Sequence, residues 1–560
     1  MFYIIKSYEP QQSISHATSS GQEQLSKTFA YNIDSVNNTI KSQKLVREAI
    51  KTPPRGQSSE ERKNNLTNVT QDKKDLIRFQ QELLSTAENI LKHLDLSTEV
   101  LATISDKLNQ LTSEPSRLIQ SRELLQAKKL EEKLIKIIHH EMLNSNNRIS
   151  LKDVGKLFQK ELSRHLNNKD WHTIETELSY GNSEYSFILT PASQMKYCGG
   201  NHEIFCDNSY KGKGVCSKSA EETTHAVNLW LSEVKDNNQS TLFSGIRHGV
   251  LSPYALPERS AARLQGAKNR AKEVVMAALF AKPELYKRAL NHEEVTLRIA
   301  STSLLTYLGK EKGMLDDQVA AWKMLNNDGV IKLNIKNEKG EAQEVKVKLD
   351  IAIFNFGVNE LAFSIPKVIS QNDNLNKTAL AQILGCNYLI NNEVGGWVGH
   401  YLSEHPHASN RHKVEELCQQ IKEIWKKKSY RYDGNEPYKI AQRIAMLAYE
   451  IGAVPCWNCK SGKDRTGMLD AEIKREAINY HQGYSLSKPG AKLTNEEKKL
   501  FQGVLLYSGN KEVQECNTGV AGNKVTKDLP FMLRPLALSY KTRIGDEVIR
   551  RQVQGFSSLV

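Results

Sequence analysis

The chain has 560 residues, of which 77 are Lys or Arg and 64 are Asp or Glu, so its formal net charge is +13. Hydrophobic residues make up 39% of the chain, which is enough for at least one sizeable core and excludes a wholly disordered protein. No uninterrupted apolar run approaches the roughly 20 residues that cross a bilayer. The eight cysteines are too few for a disulfide-stapled secreted scaffold. The positive excess favours an acidic partner such as nucleic acid, anionic lipid or a phosphorylated small molecule.

The first segment, residues 1–74, is predicted to be a disordered arm. Its apolar start, residues 2–5, is too short for a Sec signal peptide, so it is either an ordinary frayed terminus or an uncleaved secretion signal. From about residue 51 the chain contains Pro53-Pro54 and then mostly polar residues. That composition cannot bury enough apolar surface to offset the entropy of ordering.

Apolar residues recur at helical spacing over about residues 75–170. Three stripes are found: Leu76, Phe79, Leu83, Ala87, Ile90 and Leu94; Val100, Leu101, Ile104, Leu108 and Leu111; and Leu124, Leu130, Leu134, Ile137 and Ile138. One apolar face per segment is typical of packed helices, so the pattern predicts a helical module. A small helical bundle is the simplest interpretation, and a partner-binding helix is a compatible alternative.

The remaining chain, residues 171–560, mixes strand and helix patterns. Short alternating or β-branched runs occur at 330–335 and 345–356, and helical patterns occur at 261–280 and 414–428. Such a mixture predicts an α/β or α+β domain.

One polar segment separates an apolar strand pattern from a helical pattern. It reads Cys459-Lys460-Ser461-Gly462-Lys463-Asp464-Arg465-Thr466-Gly467. A loop that leads into a helix N-terminus presents backbone N–H groups and the positive end of the helix dipole, which together bind anions. A cysteine in that position would have a depressed pKa and act as a nucleophile, and an arginine could grip two phosphoryl oxygens.

The other residues of this segment suit the same chemistry. Gly462 and Gly467 permit a tight backbone path, and Thr466 could donate its hydroxyl to the thiolate. Asp464 is the acid within the loop that could protonate a leaving alkoxide. Asn458 stands where protein tyrosine phosphatases commonly have His, which argues against a phosphotyrosine substrate.

The segment resembles the cysteine-dependent inositol-phosphate phosphatases, in particular the type III secreted effectors of the SopB, SigD and IpgD family. Residues 355–360 and 245–254 carry the same resemblance, which extends over most of the chain. It implies a cysteine-phosphatase-like catalytic domain over 171–560, with Cys459 as nucleophile and Arg465 as phosphate ligand. Lys460, Ser461, Gly462, Lys463, Thr466 and Gly467 would then bind substrate phosphates, and Asn355, Asn359 and Glu360 would form a wall of the active site.

The resemblance also implies substrates, partners and location. The expected activity is dephosphorylation of phosphoinositides and inositol polyphosphates, for example phosphatidylinositol 4,5-bisphosphate, without cofactor or metal. Capture of the phosphocysteine by a ring hydroxyl would instead make a phosphotransferase or isomerase, and a mainly GTPase-binding protein is a further alternative. Residues 75–170 would bind a host Rho-family GTPase and locate the protein on membranes. Residues 1–74 would carry the secretion signal and a chaperone-binding stretch. A type III system would secrete the protein into the host cytoplasm, where it would act at the cytoplasmic face of host membranes. An anionic membrane surface is therefore an expected partner. Nucleic acid is not expected, because no motif supports it.

Two other cysteine patterns have simpler interpretations. Cys456 and Cys459 form a C-x-x-C pair, which could indicate a thioredoxin-like redox site. A lysine-rich anion loop is unnecessary for thiol exchange, so this interpretation is not favoured. The spacing of Cys198, His202, Cys206 and Cys216 is too irregular for a zinc knuckle, so these cysteines are interpreted as unligated thiols. Arg247-His248-Gly249 is interpreted as structural or as flanking the substrate.

Overall fold

The computed structural model describes residues 73–112, 121–206, 209–357, 366–431, 437–526 and 540–559. Apart from Lys73 and Lys74, the predicted N-terminal arm lies outside these residues. In the part of the chain that is described, no helix is long and apolar enough to cross a membrane.

Among the described residues of the predicted helical module are four α-helices: α1 (Lys73–His93), α2 (Ala102–Thr112), α3 (Ser121–Asn144) and α4 (Leu151–Asn167). The predicted stripe of α1 is buried, as the exposures of 3% at Phe79 and 0% at Ala87 indicate. Ser150 caps the N-terminus of helix α4, because its side chain accepts a hydrogen bond from the Asp153 N–H and so satisfies one free backbone donor.

These four helices share their core with the sheet. Their hydrophobic cluster also contains Leu189, Trp230 and Val513, which lie far along the chain. Trp171, just after α4, stacks on Trp230 with ring centroids 5.0 Å apart. The helices therefore pack directly on the sheet, and the division at residue 170 stays a prediction.

The described residues contain an eight-stranded sheet whose order is β1-β2-β3-β4-β8-β5-β7-β6. Its strands are β1 (Ile174–Tyr180), β2 (Ser183–Pro191), β3 (Trp230–Lys235), β4 (Thr241–His248), β5 (Val295–Ser303), β6 (Val330–Lys336), β7 (Ala342–Asn355) and β8 (Val454–Asn458). The four central strands, β4, β8, β5 and β7, pair in parallel, and the flanking pairs are antiparallel.

The four parallel strands end in one row. His248 is opposite Asn458, Asn458 is opposite Ser303, and Ser303 is opposite Asn355. The segments after these strands therefore meet at the carboxyl edge of the sheet, which is where open α/β sheets bind ligands.

Helices cover both faces of the sheet and complete an α/β architecture. One face carries α5 (Ala261–Phe280), α6 (Pro283–Leu290) and α7 (Lys310–Asn327). The other face carries α8 (Pro366–Leu384), α9 (Tyr388–Asn391), α10 (Gly396–Glu404), α11 (Arg411–Lys427), α12 (Lys439–Glu450), α13 (Asp464–His481), α14 (Asn495–Tyr507), α16 (Tyr540–Ile544) and α17 (Glu547–Gln554). Helix α15 (Asn510–Thr518) packs with the four N-terminal helices. Short 3-10 helices span Glu99–Leu101, Ala192–Gln194, Tyr197–Gly199, Ser429–Arg431 and Lys524–Thr526.

Candidate active site

Residues 459–463, here called the phosphate loop, connect the central strand β8 to helix α13. All five residues of β8 are buried, because the strand lies in the middle of the sheet with helices on both faces. Helix α13 begins at Asp464, so the loop leads into a helix N-terminus. The predicted order of strand, polar loop and helix is therefore found.

The outward side of the phosphate loop is held by hydrogen bonds. Three successive carbonyl oxygens accept them: Lys460 from the Val250 N–H at 3.1 Å, Ser461 from the Asn228 amide at 3.0 Å, and Gly462 from the Arg247 guanidinium at 3.2 Å. Because a peptide N–H points opposite to the carbonyl of its own peptide plane, the N–H groups of this stretch point inward. Within the described residues, the N–H groups of Ser461 and Arg465 have no hydrogen-bond acceptor.

Gly462 allows the loop to lie against the end of strand β4. Its φ is +65°, a conformation that favours glycine, and a Cβ at this position would be 2.6 Å from the His248 carbonyl oxygen. Both the turn and the close contact therefore require a glycine, as the sequence predicts.

The Cys459 thiol lies at the base of the loop and is almost fully buried, with 1% of the residue exposed. Its N–H donates to Thr466 Oγ1 at 2.8 Å, and its Sγ lies 3.9 Å from Ser461 Oγ. Burial alone raises the pKa of the thiol, but the Arg465 guanidinium and hydrogen bonds from Thr466 outweigh it, so the pKa lies below its ordinary value. A lowered pKa favours the thiolate, which is the nucleophilic form.

Arg465 is held beside the loop by a carboxylate that the sequence analysis missed. Its guanidinium donates to Glu311 at 3.0 Å and 2.5 Å and to the Leu304 carbonyl oxygen at 2.8 Å. Burial alone raises the pKa of Glu311, but its bonds to Arg465 lower it below the ordinary range. The only available signal was an acid in the first turn of α7, directly after strand β5.

The two loop lysines differ in environment. Lys463 is 3% exposed, and burial lowers the pKa of its ammonium. Within the described part of the chain, that ammonium forms no hydrogen bond or ion pair. Lys460 is partly buried and lies over the Tyr254 ring, 4.6 Å from its centroid, and burial also lowers the pKa of its ammonium.

Asp464 lies in the first turn of helix α13. Its Oδ1 accepts a hydrogen bond from the Lys524 N–H at 3.0 Å, and its carbonyl oxygen accepts one from the Asn523 amide at 3.1 Å. Its charge acts on the Cys459 thiol, whose pKa it raises. The carboxylate is thus near the nucleophile and anchored to the 3-10 helix that contains Lys524.

Asn355, a predicted wall residue, is 1% exposed and supports the segment after strand β5. Its amide donates to the carbonyl oxygens of Ser303 at 3.2 Å and Leu305 at 2.9 Å. Leu304, between them, is the residue whose carbonyl accepts from Arg465. Asn359 and Glu360 lie outside the described residues, so the wall stays a prediction.

Arg247 supports the phosphate loop from behind. It is fully buried, donates to Asn510 Oδ1 at 2.5 Å, and lies 3.6 Å from the Asp470 carboxylate. The neighbouring His248 is also fully buried, and burial lowers its pKa to about 4, so it is neutral at pH 7. These contacts favour the structural interpretation of this motif.

The two cysteines of the C-x-x-C pair lie on opposite faces of the sheet. Cys456 belongs to the hydrophobic cluster on one face of the sheet, and Cys459 belongs to the cluster on the other face. All eight cysteines are free thiols. Asn458, between the two, exchanges hydrogen bonds with the Gln318 amide of α7 at 2.8 Å and 2.9 Å, a partner that the sequence analysis also missed.

The fold is similar to that of solved phosphoinositide phosphatases from Legionella. One, described as a novel Legionella phosphoinositide phosphatase, aligns over 86% of this chain and 90% of its own with a TM-score of 0.57 and 11% identity. The Legionella phosphoinositide phosphatase SidF aligns over the same shares with a TM-score of 0.56 and 11% identity. The predicted α/β fold with a helical N-terminal region is therefore confirmed.

The chain matches the family described as "Enterobacterial virulence protein IpgD" over residues 36–560, and it belongs to that family. Inositol phosphate phosphatase SopB of Salmonella typhi is 44% identical over 497 residues, which cover 87% of this chain and 86% of SopB. Inositol phosphate phosphatase IpgD of Shigella flexneri is 47% identical over 432 residues, which cover 76% of this chain and 79% of IpgD. The predictions of this family and of a phosphatase are therefore confirmed.

Proposed function

We propose that this chain removes phosphate from phosphoinositides and inositol polyphosphates through a phosphocysteine intermediate on Cys459. The observation that carries the proposal is the Cys459 thiol, which is buried and has a lowered pKa. It lies beneath N–H groups that point inward and beside the Arg465 guanidinium. Phosphoryl transfer gains most from positioning and from stabilisation of the equatorial oxygens, and these groups supply both. The names of the relatives support the same substrate class.

The reaction has two steps. The Cys459 thiolate attacks phosphorus, an S–P bond forms, and the bond from phosphorus to the ring oxygen breaks while Asp464 gives that oxygen a proton. Water then attacks the phosphocysteine, Asp464 takes a proton from the water, and the S–P bond breaks to release phosphate and the thiolate. Arg465 and the loop N–H groups bind the phosphoryl oxygens in both steps. A ring hydroxyl that replaced water in the second step would move the phosphate instead of releasing it.

The loop lysines favour a substrate with more than one phosphate. Arg465 and the backbone N–H groups are sufficient to bind a single phosphoryl group. The buried Lys463 ammonium and the Lys460 ammonium add two positive charges beside them. Charges this close attract a polyanionic ring more strongly than a monoester.

Cys459→Ser tests the nucleophile. We expect the variant to release no measurable phosphate from phosphatidylinositol bisphosphate or from inositol hexakisphosphate, because serine lacks a thiolate at neutral pH. Circular dichroism and the unfolding midpoint should match those of the wild type. Full phosphate release by Cys459→Ser would overturn the assignment.

We propose a second function, binding of a host Rho-family GTPase by helices α1–α4, to which two exposed leucines of α3 contribute. Leu125 and Leu143 on α3 are 52% and 46% exposed. They are separated by 143 − 125 = 18 residues, about five helical turns, so they lie on one face. The rise of 1.5 Å per residue places them roughly 27 Å apart, so they are two separate apolar contacts for a partner that lies along the helix and not one continuous patch. Family membership further implies secretion into host cells. A type III system, a secretion chaperone and an anionic membrane surface complete this proposal.

Paired variants separate the two functions. Leu125→Asp with Leu143→Asp should abolish capture of a GTP-loaded Rho-family GTPase and leave phosphate release intact, whereas Cys459→Ser should do the reverse. Ile390→Asp is the matched control, because Ile390 is 79% exposed and lies outside α1–α4. Deletion of residues 1–170 is a poorer test, since it would uncover Trp171 and Trp230. Retained capture by the double variant would place the GTPase site elsewhere.

A further inference from the structure

The planar guanidinium of Arg465 has five N–H bonds, and three of them donate to acceptors at the carboxyl edge of the sheet. Both N–H bonds of Nη1 are used, one by the Leu304 carbonyl oxygen at 2.8 Å and one by Glu311 Oε2 at 3.0 Å. One N–H bond of Nη2 is used by Glu311 Oε1 at 2.5 Å. Glu311 therefore holds the end of the guanidinium with both of its carboxylate oxygens.

Two N–H bonds of Arg465 are left, that of Nε and the second one of Nη2. Within the described residues, neither has a hydrogen-bond acceptor. They lie side by side along one edge of the planar group and point the same way, as bidentate binding of two phosphoryl oxygens requires. Because Glu311 occupies the end of the guanidinium, this side edge is the part available to a substrate.

The residue that accepts from Arg465 Nη1 is fixed next to the nucleophile. The Leu304 N–H donates to the Asn458 carbonyl oxygen at 2.8 Å, and Asn458 directly precedes Cys459 in the chain. Two hydrogen bonds therefore join the guanidinium to the end of strand β8 through Leu304. These contacts place the guanidinium beside the base of the phosphate loop.

Glu311 is itself held from two sides. It lies in the first turn of helix α7, where the positive end of the helix dipole favours a carboxylate. Its Oε2 also accepts the Thr306 N–H at 2.7 Å, and the Asn355 amide fixes the same connection by donating to the Leu305 carbonyl oxygen at 2.9 Å. A carboxylate anchored in this way restricts the rotation of the guanidinium that it holds.

The geometry points to Glu311 as the positioning residue of Arg465, which turns the Nε edge of the guanidinium toward the phosphoryl group that Cys459 attacks. This inference rests on the proposed function, in which Arg465 binds the phosphoryl oxygens. Glu311 acts through Arg465 and leaves the contact with substrate to it. Donors that are already oriented need no reorganisation when charge develops on the phosphoryl oxygens, so the effect belongs to the transition state.

Steady-state kinetics of the full-length chain with an activated aryl phosphate test the assignment. Glutamine keeps the size of Glu311 but has one oxygen and no charge, so it cannot hold Nη1 and Nη2 together. We expect Glu311→Gln to lower kcat about 30-fold, to change KM less than about threefold, and to weaken inhibition by vanadate, an analogue of the transition state. Glu311→Asp keeps the charge on a shorter side chain and should lower kcat only about fivefold. An unchanged or higher kcat in Glu311→Gln would overturn the assignment, because a carboxylate that only competes with substrate for Arg465 predicts a gain.

Alkylation of Cys459 by iodoacetamide separates lost positioning from a damaged loop. The charge of Arg465 lowers the pKa of the thiol, and that of Asp464 raises it. Removal of the Glu311 carboxylate leaves the Arg465 charge less offset, so the alkylation midpoint of Glu311→Gln should lie at or below the wild-type pH. Arg465→Met should move that midpoint to higher pH, as measured by mass spectrometry on the peptide that contains Cys459. A similar rise in Glu311→Gln would show that the loop is distorted and would refute a positioning role.

Glu293→Gln is the matched control. Glu293 also pairs with an arginine, Arg288 at 2.7 Å, but both side chains are about half exposed, so all these measurements should match the wild type. If Glu311→Gln fails to fold, a wild-type kcat in Glu311→Asp would overturn the assignment instead. A wild type that cleaves the aryl phosphate but no inositol phosphate would overturn the proposed substrate class and leave the role of Glu311 standing. A wild type that cleaves neither would overturn the proposed function and this role together.

Discussion

The outward and inward sides of the phosphate loop are built from the same few residues but contact different groups. On the outward side, carbonyl oxygens are held by Arg247 of strand β4, by Val250 just after that strand, and by Asn228 just before strand β3. On the inward side are the Cys459 thiol and N–H groups that have no acceptor among the described residues. Support and reactivity are thus separated, so substitutions on the outward side should change stability and those on the inward side should change chemistry.

Arg247→Met tests the outward side and has the largest expected effect on stability. The change removes the contacts to Asn510 and Gly462 and leaves Asp470 with Lys474 as its remaining ion-pair partner, at 3.0 Å. We expect a loss of about 3 kcal/mol in the free energy of unfolding, measured by denaturant titration.

The control for Arg247→Met is Arg411→Met. Arg411 pairs with Glu415 at 2.9 Å, but both side chains are about half exposed, so the expected loss is below about 1 kcal/mol. An Arg247→Met protein of wild-type stability that had lost all turnover would instead give Arg247 a direct role with substrate.

Asp464→Asn tests the inward side through chemistry. Asparagine keeps an acceptor for the Lys524 N–H, so the fold should be retained. With an inositol phosphate, kcat should fall about 100-fold or more, because the leaving alkoxide then receives no proton. With an activated aryl phosphate, whose leaving group needs no proton, the first step, measured as the rapid burst of released aryl alcohol, should change little, whereas turnover still lacks the base of the second step. Equal losses in the first step on both substrates would show that Asp464 is structural instead.

The phosphate loop was predictable because its chemistry is local in sequence. Cys459 and Arg465 are separated by five residues, and the flanking apolar patterns identified the strand and the helix. Regular elements were also predicted closely: the helical pattern at 261–280 became Ala261–Phe280, and the strand pattern at 345–356 became Ala342–Asn355.

The supporting residues were not predictable, because they reach the site only through the order of the sheet. Glu311 lies 465 − 311 = 154 positions before its partner Arg465. In the sequence it is an ordinary acidic residue in the first turn of a helix. Arg247 meets the loop because β4 pairs with β8, and no local pattern encodes a parallel pairing of strands so far apart. The core shared by the N-terminal helices and the sheet was hidden for the same reason, since an amphipathic helix does not specify what covers its apolar face.

Thr466→Val tests the inward side with the smallest expected effect, a shift in pH dependence. Burial raises the pKa of Cys459, and Thr466 and Arg465 lower it below its ordinary value, so kcat/KM for an aryl phosphate should reach its plateau below the ordinary thiol pKa of about 8.5. Valine cannot form the Thr466 side-chain hydrogen bonds, so the pKa should rise and the acid limb should move to higher pH. Activity is then lost mainly at low pH and recovered at high pH, where the thiol ionises anyway. Thr466→Ser keeps the hydroxyl and should keep the wild-type profile. An acid limb that does not move in Thr466→Val would mean that Arg465 and the loop N–H groups alone set the thiol pKa.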